Sequence, residues 1–107
     1  MSRPLLKDAM PQLADELRRL LEGERQTDLA VQVSRLRLVD RCRCGDAFCA
    51  TLYAAPPPNG AWGPGHENVI LDPEQGDLIL DVVKGEITCI EVLYRDDIRA
   101  LALTLFP

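Results

Sequence analysis

Leu78-Ile79-Leu80-Asp81-Val82-Val83-Lys84-Gly85-Glu86-Ile87-Thr88-Cys89-Ile90-Glu91-Val92-Leu93-Tyr94 is the stretch that decides the fold. Two runs rich in aliphatic and β-branched residues, 78–83 and 86–94, flank Lys84-Gly85, the pattern of a hairpin with a two-residue turn. A turn centred there pairs Val82 with Ile87, Leu80 with Cys89 and Ile79 with Ile90. Apolar residues fall on both faces of the pair, as in central strands covered on each side.

Working outward, Val69-Ile70-Leu71 reads as a short strand joined to the hairpin by the turn Asp72-Pro73-Glu74-Gln75-Gly76-Asp77. Residues 55–68 form a Pro/Gly loop whose three consecutive prolines forbid an interior strand. A second hairpin is expected around Cys44-Gly45-Asp46-Ala47, centred on Gly45-Asp46, with 48–54 returning. Its register sets Cys42 opposite Cys49, Asp40 opposite Thr51 and Leu38 opposite Tyr53. Before it, 28–43 reads as a strand region in which Leu29, Val31 and Val33 alternate on odd positions, then Leu36 and Leu38 on even ones. A β-bulge near Ser34-Arg35 or a break into two strands accounts for the flip. A helix through Leu29, Val33 and Leu36 is the other reading.

Both ends read as helix. Met10, Leu13, Leu17, Leu20 and Leu21 recur at three- and four-residue steps, with Asp15, Glu16, Arg18, Arg19 and Glu22 on the opposite face. Pro11 suits the first turn, and Gly23 suits the position just past the end. Asp96 or Asp97 is placed to cap a last helix through Ile98, Leu101 and Leu105. The expectation is an α+β fold in one domain, residues 1–107: an N-terminal helix packed on an antiparallel sheet of about five strands in two hairpins, and a short C-terminal helix.

With 47% hydrophobic and 27% charged residues, the chain can bury a core unaided; 5% aromatics make that core aliphatic. The net charge of −5 disfavours nucleic-acid binding, since phosphate would be repelled. The excess is local: residues 1–53 carry nine Lys and Arg against eight Asp and Glu, residues 54–107 three against nine. Arg35, Arg37, Arg41 and Arg43 share strand parity, a small basic stripe suited to the chain's own carboxylates or an acidic partner. The opening Met1-Ser2-Arg3-Pro4-Leu5-Leu6-Lys7-Asp8 has no apolar run of leader type, and no window suits a membrane span. The expected location is cytoplasmic, with reduced cysteines.

Cys42-Arg43-Cys44-Gly45-Asp46-Ala47-Phe48-Cys49 is the stretch with most chemistry in it. Strand alternation puts Cys42 and Cys44 on one face, and the expected register adds Cys49 to it. Three thiols at one hairpin tip suit zinc, with His66 or Cys89 as the fourth ligand. The C-x-C-x4-C spacing is not a common zinc pattern. Free cysteines are also ordinary small core residues, Cys89 most of all. A Cys42–Cys49 disulfide is a third reading: facing residues lie about 4.5–5.5 Å apart at Cα, within disulfide reach. Cys42-x-Cys44-Gly45 resembles the opening of the SEC-C zinc motif, from which Asp46-Ala47-Phe48-Cys49 departs.

Elsewhere, Trp62 in the loop suits an interface anchor or a lid folded over the core edge, and His66 is the lone histidine. Trp62 and His66 are the candidate partner-binding residues. Asp72, Glu74, Asp77, Asp81 and Glu86 read as a solvated acidic surface and miss the calcium-loop pattern. A catalytic reading would need His66 joined to Asp40 or Asp72 in a pocket. No phosphate-binding glycine loop, zinc-protease or nucleophile-elbow motif occurs.

From Asn68 to Leu93 the pattern Val69-Ile70-Leu71-Asp72-Pro73-Glu74-x-Gly76-Asp77, then Gly85-x-Ile87 and Ile90-Glu91-Val92-Leu93, resembles small uncharacterised bacterial β-meander domains. That resemblance implies a β-meander and a bacterial origin, and no activity. The expected function is a small non-catalytic protein-interaction or regulatory module, without cofactor, acting on a protein partner or by self-association as a homodimer. The alternative is a zinc-binding or thiol-redox module built on the cysteine tip.

Overall fold

The computed structural model describes residues 3–107; Met1 and Ser2, which open the stretch read for a leader, lie outside the described residues. Its elements are α1 (Leu6–Ala9), α2 (Pro11–Gly23), α3 (Thr27–Val33), β1 (Asp40–Arg41), β2 (Leu52–Tyr53), β3 (His66–Leu71), β4 (Asp77–Val83), β5 (Glu86–Leu93) and α4 (Asp96–Leu105). The five strands form one antiparallel sheet in the order β1-β2-β5-β4-β3. The α+β class, the five strands and the C-terminal helix agree with the sequence reading.

The 78–94 hairpin turns at Lys84 and Gly85, with φ of 51° and 83°. Positive φ at both positions gives a turn whose twist matches the flanking strands. Val82 pairs with Ile87 as expected, but the ladder then shifts: Asp81 pairs with Cys89, Leu80 with Ile90 and Ile79 with Glu91. Thr88 is the extra residue, and its hydroxyl donates to the Asp81 carbonyl at 3.1 Å. This bulge corrects the expected Leu80–Cys89 and Ile79–Ile90 pairs. It lets Ile87, Ile90 and Val92 all face the helices although 87 and 90 differ in parity. It also aims Cys89, Glu91 and Leu93 at the other face, beside Asp81.

The helices cover one face of the sheet. Leu13, Leu17 and Leu21 of α2 and Leu29, Ala30 and Val33 of α3 join Leu52, Leu78, Leu80, Val82, Ile90 and Val92 in one hydrophobic cluster, with Ile98 and Ala102 of α4. The outward side of α2 carries Arg18–Asp15, Arg18–Glu22 and Arg19–Asp15 pairs at 2.7–2.9 Å. Residues 27–33 are helix, not strand, so the phase change at Ser34-Arg35 is the end of a helix. The one polar side chain of α3 that turns inward, Gln32, explains why the helix docks there: its Nε2 donates to Gly85 O at 2.6 Å and its Oε1 accepts from Ile87 N at 2.9 Å.

Smaller corrections concern ends. Gly23 is the last residue of α2, and the left-handed position beyond it is Arg25, at φ 60°. Neither Asp96 nor Asp97 caps α4 with its side chain; Asp97 instead accepts from Arg95 at 3.3 Å, and Arg95 also grips Glu16 at 2.9 Å. Gly76, at φ 67°, lies where a Cβ would strike the Leu93 carbonyl and the Arg95 side chain, which fixes the 72–77 turn against the end of β5. The basic stripe is used internally: Arg41 donates to Phe106 O and Arg43 to Asp40. No helix among the described residues is long and apolar enough to cross a membrane.

Candidate metal centre

Two short strands place the cysteines. Asp40 pairs with Tyr53 and Arg41 with Leu52, two positions away from the expected register, so Cys42 faces Thr51 and donates its N–H to the Thr51 carbonyl at 2.8 Å. The reversal falls at Ala47-Phe48, two residues later than expected, where the Cys49 N–H donates to Asp46 O at 3.1 Å. A slip of two residues preserves side-chain parity, so the expected Cys42–Cys49 pairing is lost while the shared face is kept. Cys49 itself bridges to Leu93 at the end of β5.

The sulfurs of Cys42, Cys44 and Cys49 all lie within 4.8 Å of one another, and among the described residues no other His, Cys, Asp or Glu joins that group. Cys44 is exposed, the other two are half-buried, and none is in a disulfide. His66 and Cys89, the expected fourth ligands, stand elsewhere. His66 is the first residue of β3 rather than a loop residue, and its Nε2 lies 2.7 Å from Asp81 Oδ1. Cys89 is buried on β5 opposite Asp81, where burial and then the Asp81 charge push its thiol up. The histidine thus meets Asp81, not Asp40 or Asp72.

The electrostatics concentrate charge on one sulfur. Burial disfavours a Cys49 thiolate, but the Thr51 hydroxyl and N–H, with Cys44 and Cys42, hydrogen-bond to it and hold the group below the ordinary thiol range. At Cys44 the Asp46 N–H favours the thiolate, yet the Cys42 side chain, burial and Cys49 prevail and push it up to about 11. The Cys44 thiol therefore keeps its proton where Cys49 most readily loses one. A divalent cation would replace those protons, and N–H···S bonds from Asp46 and Thr51 are the outer support such ligands use.

Zinc–thiolate bonds of about 2.3 Å put tetrahedral sulfurs ~3.8 Å apart, so the cluster closes on a metal by a contraction of at most about 1 Å. Three protein ligands leave the fourth position to water or another ligand, which separates open sites from closed structural ones. On one side of the cluster, Arg41, Arg99 and Leu103 help to line a small open pocket of about 30 Å³.

On the other side, Cys42, Cys49 and Thr51 begin a groove of about 360 Å³ along the sheet face away from the helices. Tyr53, Trp62, Pro57, Asp81 and Glu91 continue it. Trp62 folds back over this face with its ring 6.5 Å from Tyr53. Asp81 is nearly buried; burial opposes its charge, but hydrogen bonds from Glu91, His66, Asn68 and Cys89 keep its carboxyl below the ordinary range. Glu91 takes the proton of the pair: burial, then the hydrogen bond to Asp81 and its charge, push it up to about 7. Burial and the nearby Cys42 push the Tyr53 phenol up to about 12. Sequence reasoning missed this Asp81–Glu91–His66 group. Extending the third strand back to His66 in an antiparallel meander would have placed it beside Asp81.

No protein-family model, curated protein or solved structure matches the chain.

Proposed function

We propose that this protein is a metal-binding module in which Cys42, Cys44 and Cys49 hold one thiophilic divalent cation, zinc in the first instance, with its fourth coordination position open. The observation that carries this reading is the convergence of three reduced sulfurs within 4.8 Å, from the end of β1 and the start of the returning chain. A core explanation does not account for it, because Cys44 is exposed and so are its neighbours Arg43, Gly45 and Asp46. Structural metal sites contribute directly to folding free energy, so the metal would also fix the 42–49 loop. Native mass spectrometry of protein purified without chelator tests the reading. One zinc per chain is expected, lost in Cys42→Ser, Cys44→Ser or Cys49→Ser and retained in Cys89→Ser. Metal-free protein that also fails to take up added zinc would overturn it.

A second reading, contact with another protein, is favoured by the apolar rim of the same loop. Phe48 and Tyr94 stack at 5.4 Å while exposed by 43% and 64%, and Leu103 of α4 adjoins the cysteines. Phe48→Ser with Tyr94→Ser is expected to leave the fold intact and to abolish self-association in sedimentation equilibrium. A wild-type chain that sediments as a monomer at all concentrations would exclude the homodimer.

A further inference from the structure

The groove on the open face of the sheet has a chemistry of its own, independent of the metal reading. We propose that it binds a small quaternary ammonium compound of the choline type, its cationic head held by the rings of Tyr53 and Trp62 over the Asp81–Glu91 pair. Separate elements bring these parts together. Tyr53 comes from β2, Asp81 from β4 and Glu91 from β5, while the loop before β3 brings Pro57, Pro58 and Trp62 to the same groove of about 360 Å³. That volume lies in the range of small-ligand sites. The Tyr53 and Trp62 rings are both half-buried, their centroids 6.5 Å apart and their planes inclined at 49°. One cation can therefore lie within about 6 Å of both centroids, the reach of a cation–π contact.

Charge selects a cation. Asp81 is only 5% exposed, and buried charges call for a partner. Its one ion pair among the described residues is with His66, which is charged only when protonated. No Lys or Arg among the described residues lines the groove, so the Asp81 carboxylate has no permanent counter-ion there. A metal ion is poorly served at this place, since among the described residues only the three cysteines converge as a metal-binding set. Hydrogen bonding then selects the type of cation. A carboxylate offers about four lone-pair sites. Four side chains already donate to Asp81: His66 at 2.7 Å, Asn68 at 2.8 Å, Glu91 and Cys89. A primary ammonium has three N–H groups to satisfy and finds the Asp81 oxygens taken. A quaternary ammonium has none; it needs negative potential, from Asp81, and aromatic surface, from Tyr53 and Trp62. An analogue with its own carboxylate, such as glycine betaine, brings a like charge toward Asp81 and is disfavoured.

Trp62 is the sole tryptophan, so its fluorescence reads the groove directly. Titration of the full chain with choline chloride, at constant ionic strength, is expected to give a saturable change with a Kd on the order of 1 mM. The neutral isostere dimethylbutanol, with a tert-butyl group in place of trimethylammonium, is expected to bind at least about tenfold more weakly, and glycine betaine likewise. Tyr53→Leu, which keeps the Trp62 signal, is expected to weaken choline by at least about tenfold. Chelator-stripped protein is expected to bind choline as well as untreated protein does, which separates the outcome from the metal reading. Equal affinity for choline and its neutral isostere would overturn the proposal without any substitution, as would the lack of a saturable change in the wild type. Phosphatidylcholine vesicles carry the same head group; a chain that sediments with them and ignores free choline would overturn the assignment to a free small molecule.

Discussion

The two faces of the sheet are built from alternate residues of the same strands, yet they do different work. Leu52, Leu78, Leu80, Ile90 and Val92 on the helix-covered face are fully buried aliphatics. One position away along the same strands stand Tyr53, Asp81, Cys89 and Glu91, which line the groove. The covered face supplies stability through apolar burial, which is non-directional and accepts a polar residue only where it is paired, as Gln32 and Arg95 are. The other face keeps ionisable groups near one another and near water, where each sets the proton affinity of the next. The Thr88 bulge joins the two designs, because without it Ile90 and Val92 would change places with Cys89 and Glu91.

Leu80→Ala and Ile79→Ala provide the widest contrast between the faces. On the covered face Leu80→Ala is expected to cost about 3–4 kcal/mol by urea unfolding, and Ile79→Ala, half-exposed on the groove face, about 1 kcal/mol. Equal costs would break the comparison. Gln32→Ala removes the acceptor for Ile87 N and the donor to Gly85 O, and about 2 kcal/mol is expected for orphaning them.

The groove face adds a pH dependence with a definite sign. Glu91 holds its proton up to about pH 7 in the native state, whereas the unfolded carboxyl releases it near 4.5. Between those values the native state binds more protons, so this contribution to stability is full below the lower value and is lost as pH rises through the upper one. Asp81 acts oppositely: its lowered carboxyl adds stability above the ordinary carboxylate range, and that is lost on acidification below it. Glu91→Gln is therefore expected to flatten the decline between about pH 5 and 8 and to gain on the order of 1 kcal/mol at the alkaline end, read from urea midpoints. An unchanged slope would show that Glu91 and Asp81 do not share a proton. The smallest effect belongs to the exposed Cys44: in metal-free protein Cys44→Ser is expected to change stability by less than about 0.5 kcal/mol, against a clear loss of the zinc-induced rise in Tm.

The hairpin at Lys84-Gly85, the amphipathic α2 and the α+β class were legible because periodicity and turn chemistry agree there. The bulge was not, since Ile79, Leu80, Ile87 and Ile90 offer apolar residues to either register and only tertiary packing chooses. Helix α3 reads as a strand because Val31 and Val33 are β-branched and seven residues show barely two turns of period. Thiol convergence was legible through parity alone, which a two-residue slip leaves intact. His66 meeting Asp81 was hidden because a histidine next to a Pro/Gly loop looks like part of it.

X-ray absorption at the zinc edge of the metal-loaded protein tests the central claim most directly. Three sulfurs at about 2.3 Å and one oxygen or nitrogen at about 2.0 Å are expected in the first shell. A shell of light atoms alone, or of four sulfurs, would contradict an open three-thiolate site on Cys42, Cys44 and Cys49.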